Sequence, residues 1–261
     1  MNQGFVSIVG AGPGHPDDLT LRGWKALQRA EVILYDALLH PSFRRIFPRE
    51  ARSLFVGKRA GLPATGQDEI NRRLLLLARQ GRRVVRLKGG DPLIFGRGGE
   101  EYSYLREHGV PAEIIPGLTA ANGVGALAGI PLTHRGVSGS VLIVEGQHLA
   151  KNGPPLRDMA SFPGTIVVYM ASRKARVLAQ QLLAHGVAPD IPLAMVETDP
   201  QAGQVISRST LGEAAEQGLA RKTNGPGIIY IGRTVSLQLA AGPLTDTESS
   251  QILENNHAGR Q

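Results

Sequence analysis

The first 115 residues alternate between short apolar segments and longer segments whose apolar side chains recur at helical spacing. This alternation constrains the fold most, because two parallel strands need a crossover connection, usually a helix, between them. The sequence therefore predicts an α/β fold with a mostly parallel sheet and helices on both faces. The predicted strands cover 5–9, 32–35, 52–56, 84–88 and 112–115, and the predicted helices cover 17–29, 68–79 and 100–108.

Glycine-rich or acidic segments follow these strands, at the edge where parallel sheets bind ligands. The longest is VVRLKGGDPLIFGRGGEE at 84–101, which has five glycines within twelve consecutive positions. Glycine lets another molecule approach the backbone closely, and Asp91 places a carboxylate there. If a helix begins near Gly98, Arg97 and Glu100 can face one cleft. Taken alone, the segment is equally typical of a strand-to-helix turn without a ligand.

The second half repeats the alternation less regularly, which predicts a second, smaller α/β domain. Its predicted strands cover 141–145, 165–169, 192–196, 205–208 and 228–231, and its predicted helix covers 173–185. The alanine- and glycine-rich segment 119–129 predicts a closely packed helix, and 130–140 predicts the connection between the halves. We expect an N-terminal domain at 1–133 and a C-terminal domain at 134–244. The polar residues 245–261 have no sustained period and predict a flexible tail.

Residue content excludes several kinds of site. The chain has 261 residues and no cysteine, which excludes disulfides, thiolate nucleophiles and sulfur-ligated metals. Its seven histidines show no pair such as HxxxH, so we expect no metal. The charge-free stretch 114–133 contains four glycines and two prolines, which argues against a membrane helix. The N-terminus shows no leader pattern, so we expect a cytoplasmic protein.

The formal net charge of +7 favours a polyanionic partner. Nucleic acid is one such partner, but its usual signature is a basic stripe with interleaved aromatic residues. Aromatic residues make up only 5% of this chain, and its arginines are dispersed. Several of them, such as Arg72 and Arg73 in the predicted helix 68–79, are expected on a solvated helix face. We therefore expect no nucleic acid and no membrane partner.

The first glycine-rich segment, GAGPG at 10–14, is similar to a dinucleotide-binding loop, with Asp36 as a ribose-binding acid. Two details oppose this interpretation. The third glycine of GxGxxG would fall at His15, and Pro13 has no backbone N–H to donate to a pyrophosphate. A cofactor without phosphates fits better, and S-adenosylmethionine is one.

Six strings, found in order from about Val6 to Leu239, resemble the uroporphyrinogen-III C-methyltransferases of the tetrapyrrole methylase family. The resemblance implies two α/β domains with the cofactor cleft between them, a homodimer and no metal. It also implies two methyl transfers from S-adenosylmethionine to C2 and C7 of uroporphyrinogen III, giving precorrin-2 and S-adenosylhomocysteine. The extra module of bifunctional sirohaem synthases is not in the sequence, so the resemblance is to a stand-alone enzyme. The strings are GAGPGHPDDLT, YDALL, GKRAG, VVRLKGGDPLIFGRGGEE, IIPGLTAANGVGALAGIPLTHR and VVYMA.

The resemblance also implies roles for individual residues. Asp36 and Lys58 match the family's proton acceptor and donor, while Arg97 and Glu100 fall in the substrate cleft. The positions implied for the cofactor are Pro13, Gly89, Gly90, Asp91, Ile94, Thr119, Ala120 and Met170. The positions expected to contact substrate are Lys58, Arg59, Arg97, Glu100, Arg135 and Met170. One more cofactor position is often glycine in the family, but this chain has VETDP at 196–200, which leaves that contact open.

The implied chemistry suits these residue types. A reduced pyrrole is electron-rich, so its carbon can attack a sulfonium methyl once the two are oriented. A base must then remove a proton. Asp36 is the natural candidate, whereas Arg97 stays protonated and is better suited to anchor substrate carboxylates. The eight carboxylates of the substrate match the positive net charge. A later corrin intermediate or a protein side chain is an alternative substrate, and sirohaem, cobalamin and haem d1 synthesis are the candidate pathways.

Overall fold

The computed structural model describes residues 4–57, 66–147, 156–199, 203–237 and 239. Its strands are β1 (Phe5–Gly10), β2 (Val32–Tyr35), β3 (Arg52–Phe55), β4 (Arg83–Lys88), β5 (Ala112–Ile115), β6 (Val141–Glu145), β7 (Thr165–Tyr169), β8 (Pro192–Asp199), β9 (Gly203–Thr210) and β10 (Gly227–Ile231). Its helices are α1 (Leu21–Gln28), α2 (Gln67–Arg79), α3 (Gly98–Glu107), α4 (Ala120–Leu127), α5 (Leu156–Ser161), α6 (Ala175–Ala184) and α7 (Leu211–Gln217).

The first five strands form one sheet in the order β3-β2-β4-β1-β5, and every neighbouring pair is parallel. β1 and β4 are buried except at their first residue, as expected for strands covered on both faces. Leu74 of α2 and Leu105 of α3 pack on one face, and Leu27 of α1 packs on the other. The predicted parallel α/β sheet is confirmed.

The last five strands form a second sheet in the order β6-β7-β10-β8-β9. Only the β6–β7 pair is parallel, and the other pairs are antiparallel. β8 and β9 are each eight residues long and pair along their whole length, so they extend well beyond the predicted segments 192–196 and 205–208. The sequence predicted these strands but not their direction, because an antiparallel pair depends on a turn rather than on a crossover helix.

Helix α4 packs on the second sheet, although it follows the last strand of the first. Val124 and Ala128 share an apolar cluster with Val167 and Tyr230. The Tyr230 hydroxyl lies 3.0 Å from the carbonyl oxygen of Ala121, to which it donates a hydrogen bond. α4 therefore fixes the two sheets relative to each other, and the domain boundary at 133 stays a prediction.

The first helix starts later than predicted. Pro16–Asp18 form a 3-10 turn, and α1 begins only after Thr20, whose Oγ1 accepts a hydrogen bond from the amide of Gly23 at 3.1 Å. Thr20 rather than the aspartate pair is therefore the N-cap. The predicted helix 173–185 is likewise a 3-10 turn, Ser172–Lys174, followed by α6.

Two short helices, α5 and α7, were not predicted. α7 had a recognisable signal, because Thr210 and Glu213 form a capping box in which the Thr210 side chain binds the Glu213 amide and the Glu213 side chain binds the Thr210 amide. The tail at 245–261 lies outside the described residues. Within the described ranges, no helix has the length and apolar content needed to cross a membrane.

Candidate active site

Three loops at the carboxyl edge of the first sheet are joined by hydrogen bonds. The amide of Gly12 donates to the carbonyl oxygen of Gly90 at 3.2 Å, and the amide of Gly90 donates to the carbonyl oxygen of Gly12 at 2.7 Å. Asp91 connects the third loop, because its Oδ2 accepts a hydrogen bond from the amide of Gly117 at 3.0 Å. These loops, here called the cradle, are residues 10–13, 89–92 and 116–119.

The cradle is closely packed in one part and open in another. A Cβ added to Gly10 would lie 2.5 Å from the nitrogen of Gly117, and a Cβ added to Gly117 would lie 2.5 Å from the carbonyl oxygen of Gly90. Both positions therefore exclude a side chain. A Cβ on Gly90 would have one atom of the described residues within 4 Å, the Ala120 nitrogen at 3.9 Å. Space for a ligand thus lies beside Gly90, between β4 and the start of α4.

Asp91 has a structural role in the cradle. Its Oδ1 accepts a hydrogen bond from the amide of Leu93 at 2.8 Å, while Oδ2 accepts the one from Gly117. Both carboxylate oxygens are therefore engaged with backbone amides. The predicted role of Asp91 as a cofactor ligand adds to this one, since each carboxylate oxygen can accept a second hydrogen bond.

Strained and exposed apolar residues border the cradle. In the part of the chain that the structure describes, the non-glycine residues with positive φ are Phe95 (52°), Arg97 (58°) and Met170 (56°). Such backbone costs on the order of 1–3 kcal/mol per residue and clusters at ligand sites. Phe95 and Met170 are also 43% and 47% exposed, and Ile94 beside them is 37% exposed. The predicted cofactor positions Ile94 and Met170 therefore lie on an apolar surface that water covers at a cost.

Tyr169 joins the end of β7 to the start of α4. Its hydroxyl lies 2.6 Å from Thr119 Oγ1 and accepts a hydrogen bond from the amide of Ala121 at 2.6 Å. Burial raises the pKa of this hydroxyl above its ordinary value. The Tyr169 ring also packs edge-on against Phe95, with 5.1 Å between ring centroids. Tyr169 thus brings Thr119 and Ala120 to the same place as Met170, and sequence reasoning missed it.

The remaining predicted cofactor positions lie in the same cradle. Pro13 faces α4, because a Cβ on Gly123 would lie 2.6 Å from Pro13 Cγ. Gly89 faces the loop after β2, because its added Cβ would lie 2.6 Å from Leu38 Cβ. The structure therefore brings the predicted cofactor residues together. Their contact with a ligand stays a prediction.

A buried charge array lies under the cradle, on the sheet face that α2 and α3 cover. Glu101 Oε1 accepts hydrogen bonds from Arg86 Nε at 3.2 Å, from Lys88 Nζ at 3.0 Å and from Gln67 Nε2 at 3.1 Å. Arg86 Nη2 also lies 3.6 Å from Asp36 Oδ2. The side chains of Arg86, Lys88 and Glu101 are 4%, 6% and 0% exposed, whereas Asp36 is 20% exposed. Asp36 is thus the member of the array that reaches solvent.

Arg86 is a buried cation within β4, only 3% exposed. It shares a sheet face with Lys88, two residues along β4, and both strand neighbours of β4 are apolar at the same level. Burial lowers the pKa of Lys88 from its ordinary value, and Arg86 adds to this effect while Glu101 opposes it. The sequence signal for this array was a pair of cations, Arg86 and Lys88, two residues apart within an otherwise apolar strand.

Arg97 and Glu100 form a two-point ion pair at the start of α3, with Nε to Oε1 at 2.9 Å and Nη2 to Oε2 at 2.6 Å. The hydrogen bond from Arg97 lowers the pKa of Glu100, and the same bond raises the pKa of Arg97. Both side chains are about half exposed, so a ligand can reach them. The prediction that helix α3 begins near Gly98 is confirmed.

Among the other predicted substrate contacts, the structure separates Arg135 from this place. Lys58 and Arg59 lie outside the described residues. Arg135 lies in a turn that is anchored where β7 begins, because Ser138 Oγ accepts a hydrogen bond from Thr165 Oγ1 at 3.2 Å. Met170 follows Tyr169 at the other end of β7. The two ends of this strand lie about 13 Å apart, at about 3.3 Å per residue. The role of Arg135 stays a prediction without support from this geometry.

Glu197 occupies the segment where the family often has glycine. Its side chain is fully buried, and it accepts hydrogen bonds from Arg221 Nε at 3.0 Å and from the amide of Lys222 at 2.7 Å. It also lies within 3.4 Å of the amide and hydroxyl of Thr223. Glu197 therefore holds the loop before β10. In the described ranges, no three His, Asp or Glu side chains have the arrangement of a metal site.

Known proteins resemble the chain in sequence and in structure. It is 45% identical over 238 residues to siroheme synthase 1 of Yersinia enterocolitica, covering 90% of this chain and 50% of that one. It is 43% identical over 238 residues to a siroheme synthase of Pseudomonas fluorescens, covering 90% of this chain and 51% of that one. The chain thus spans about half the length of these curated relatives.

Two solved structures extend the likeness. The uroporphyrin-III C-methyltransferase of Thermus thermophilus, solved with S-adenosylhomocysteine, is 38% identical with a TM-score of 0.74, over 89% of this chain and 99% of that one. A cobalt precorrin-4 methyltransferase is 28% identical with a TM-score of 0.75, over 88% and 95%. The sequence profile of the tetrapyrrole (corrin/porphyrin) methylases matches residues 6–215. The chain, with its cradle at the strand ends, is a member of the tetrapyrrole (corrin/porphyrin) methylase family.

Proposed function

We propose that the protein methylates uroporphyrinogen III at C2 and C7 with S-adenosylmethionine, giving precorrin-2 and two S-adenosylhomocysteine. The observation that carries the proposal is the juxtaposition of an open cradle, an apolar border and one solvent-reaching carboxylate, Asp36, at one sheet edge. The sequence likeness to siroheme synthases favours sirohaem synthesis over cobalamin or haem d1 synthesis as the pathway.

The cradle fits a cofactor that is partly apolar and has no phosphates. Free space beside Gly90 adjoins the backbone of Ala120, and Ile94 and Met170 supply apolar contact. Thr119, held by Tyr169, offers a hydroxyl. When bound there, S-adenosylmethionine would supply an electrophilic methyl group on its sulfonium. The exposed apolar side chains would orient the reacting groups and exclude water, which accounts for much of the catalysis in such a transfer.

Asp36 serves as the base in this proposal. A new bond from the substrate carbon to the methyl group forms as the bond from sulfur to the methyl group breaks, and one proton must then leave the macrocycle. Asp36 Oδ1 accepts a hydrogen bond from the amide of Leu38, and Oδ2 faces Arg86. These contacts hold the carboxylate in one orientation, from which Oδ2 can accept the proton. Lys58 is kept as the proposed proton donor.

Arg97 and Glu100 bind the substrate in this proposal. Each substrate carries eight carboxylates, and an exposed guanidinium binds carboxylates through paired hydrogen bonds. Glu100 fixes the guanidinium in place and exchanges part of its contact when the substrate arrives. Arg59 and Arg135 are kept as further proposed anchors, since the net charge of +7 favours a polyanionic ligand.

The proposal is tested by incubating the purified protein with S-adenosylmethionine and uroporphyrinogen III under reducing, oxygen-free conditions. We expect a product with two added methyl groups by mass spectrometry and two S-adenosylhomocysteine per product. Asp36→Asn serves as the matched control, which should bind S-adenosylhomocysteine but turn over about 100- to 10,000-fold more slowly. Absence of methylated product, together with absence of S-adenosylhomocysteine binding by calorimetry, would contradict the proposal.

A later corrin intermediate is the second candidate substrate, because the cobalt precorrin-4 methyltransferase matches the fold with a TM-score as high as that of the uroporphyrin-III enzyme. Offering uroporphyrinogen III and a precorrin-4 in one competition assay separates the two. We also propose a homodimer and a cytoplasmic location. Light scattering and cell fractionation test these in turn.

A further inference from the structure

The buried charge array raises a question that the proposed chemistry leaves open. Two cations, Arg86 and Lys88, share one oxygen of Glu101, while Glu101 Oε2 is buried and has no hydrogen-bond partner among the described residues. Removing three charged groups from water costs several kcal/mol each before their mutual attraction is counted. The rest of this sheet face is packed with apolar side chains such as Ile8 and Leu34. Packing alone therefore does not account for the array.

The contacts within the array fix the orientation of the Arg86 guanidinium. Arg86 is held at three points: Nε on Glu101, Nη1 on the carbonyl oxygen of Leu87 at 3.0 Å, and Nη2 toward Asp36 at 3.6 Å. A planar guanidinium held at two of its nitrogens cannot turn the third elsewhere. The fully buried Glu101 therefore determines where Arg86 Nη2 lies, and through it where the Asp36 carboxylate lies.

We propose that Glu101 is a positioning residue for methyl transfer, which aims Arg86 at Asp36 and so fixes the carboxylate that accepts the substrate proton. Lys88 completes the array by occupying the same Glu101 oxygen, so that two cations balance two carboxylates. This inference rests on the proposed function, because it needs Asp36 to act as the base. It assigns no substrate contact to Glu101, whose side chain solvent does not reach.

A double-mutant cycle on methyl transfer tests the proposal. Glu101→Gln keeps the size and the acceptor oxygen but removes the charge that holds Arg86. We expect kcat to fall about 10- to 100-fold, the loss typical of a misplaced catalytic group, with KM nearly unchanged. In an Asp36→Asn background the same substitution should lower kcat no further, because the group that it positions is already lost.

Two further variants make the outcome decisive. Glu107→Gln changes an exposed glutamate on the same helix and should leave kcat unchanged. Arg86→Lys keeps the charge but not the three-point hold, so it should reproduce the Glu101→Gln effect; it also replaces that variant in the cycle if Glu101→Gln does not bind S-adenosylhomocysteine. Equal losses in the wild-type and Asp36→Asn backgrounds, or an unchanged kcat, would overturn the proposal. Failure of the wild-type protein to methylate any tetrapyrrole would instead overturn the proposed function.

Discussion

Two fully buried glutamates, Glu101 in the first half and Glu197 in the second, are used in different ways. Both carboxylate oxygens of Glu197 accept hydrogen bonds from one loop, with Arg221 and the backbone of Lys222 and Thr223 as donors. One oxygen of Glu101 accepts hydrogen bonds from side chains of neighbouring elements, and its other oxygen has no hydrogen-bond partner in the described ranges. A carboxylate bound by backbone amides fixes a loop, whereas one bound by side-chain cations fixes the direction of those cations.

This contrast separates a structural buried charge from one tied to the site. The side chain of Glu197 hydrogen-bonds to residues 221–223, in the loop before β10, while Glu101 reaches Asp36 through a single residue, Arg86. Loss of Glu197 should therefore cost stability first. Loss of contacts around the cradle should cost ligand binding or turnover, with smaller effects on stability.

The largest stability effect is expected for Glu197→Ala. It leaves the partly buried Arg221 without its carboxylate partner and two backbone amides without an acceptor, which costs about 3–5 kcal/mol. The thermal midpoint should fall by about 6–20 °C in a chain of this size. Glu216→Ala, at an exposed site on α7, is the control and should change it by less than about 2 °C. Equal shifts in the two variants would remove the structural role assigned to Glu197.

A smaller effect is expected for Tyr169→Phe. The substitution removes the hydroxyl that binds Thr119 and the amide of Ala121, at a cost of about 1–3 kcal/mol. The thermal midpoint should fall, and the dissociation constant for S-adenosylhomocysteine should rise, because the start of α4 is no longer held. Tyr35→Phe, which loses only an exposed hydrogen bond from Arg44, is the control. Unchanged cofactor affinity in Tyr169→Phe would separate this contact from the site.

Arg97→Ala is expected to have little effect on stability, because an exposed ion pair contributes about 0–1 kcal/mol. Its effect on substrate should be larger. Loss of a charge-assisted hydrogen bond should weaken tetrapyrrole binding about 10- to 100-fold, measured by fluorescence titration with a non-reacting porphyrin analogue. S-adenosylhomocysteine should still bind. The exposed Arg106→Ala on the same helix is the control, and equal tetrapyrrole affinity in both variants would contradict the anchor role.

The smallest effect concerns pH. Burial lowers the pKa of Lys88 below its unfolded value of 10.5, so the unfolded chain binds more protons between the two values and stability rises with pH in that window. Thermal midpoints measured from neutral pH toward pH 10.5 should show this rise in the wild type. Lys88→Met should lose that contribution to the slope. Parallel slopes in the two proteins would mean that Lys88 is not penalised by burial.

The strand ends were predictable from the sequence, whereas the array under them was not. Glycine and aspartate at the end of an apolar strand report a local property, so the segments around Gly12, Gly90 and Asp36 could be found. The two cations within β4 signal buried charge, but Glu101 as their partner depends on how α3 lies on β4, and a local pattern does not contain that information. For the same reason the antiparallel β8 and β9 were predicted as strands without their direction.

Asp36 is the proposed base that takes the proton after methyl transfer, and one measurement tests this role most directly. Single-turnover formation of the deprotonated, methylated product from uroporphyrinogen III is followed for wild type and Asp36→Asn with both ligands saturating. We predict a rate lowered about 100- to 10,000-fold, the usual contribution of a positioned base, with S-adenosylhomocysteine and tetrapyrrole affinities retained. A rate close to that of wild type would contradict the account and return the role of base to another group.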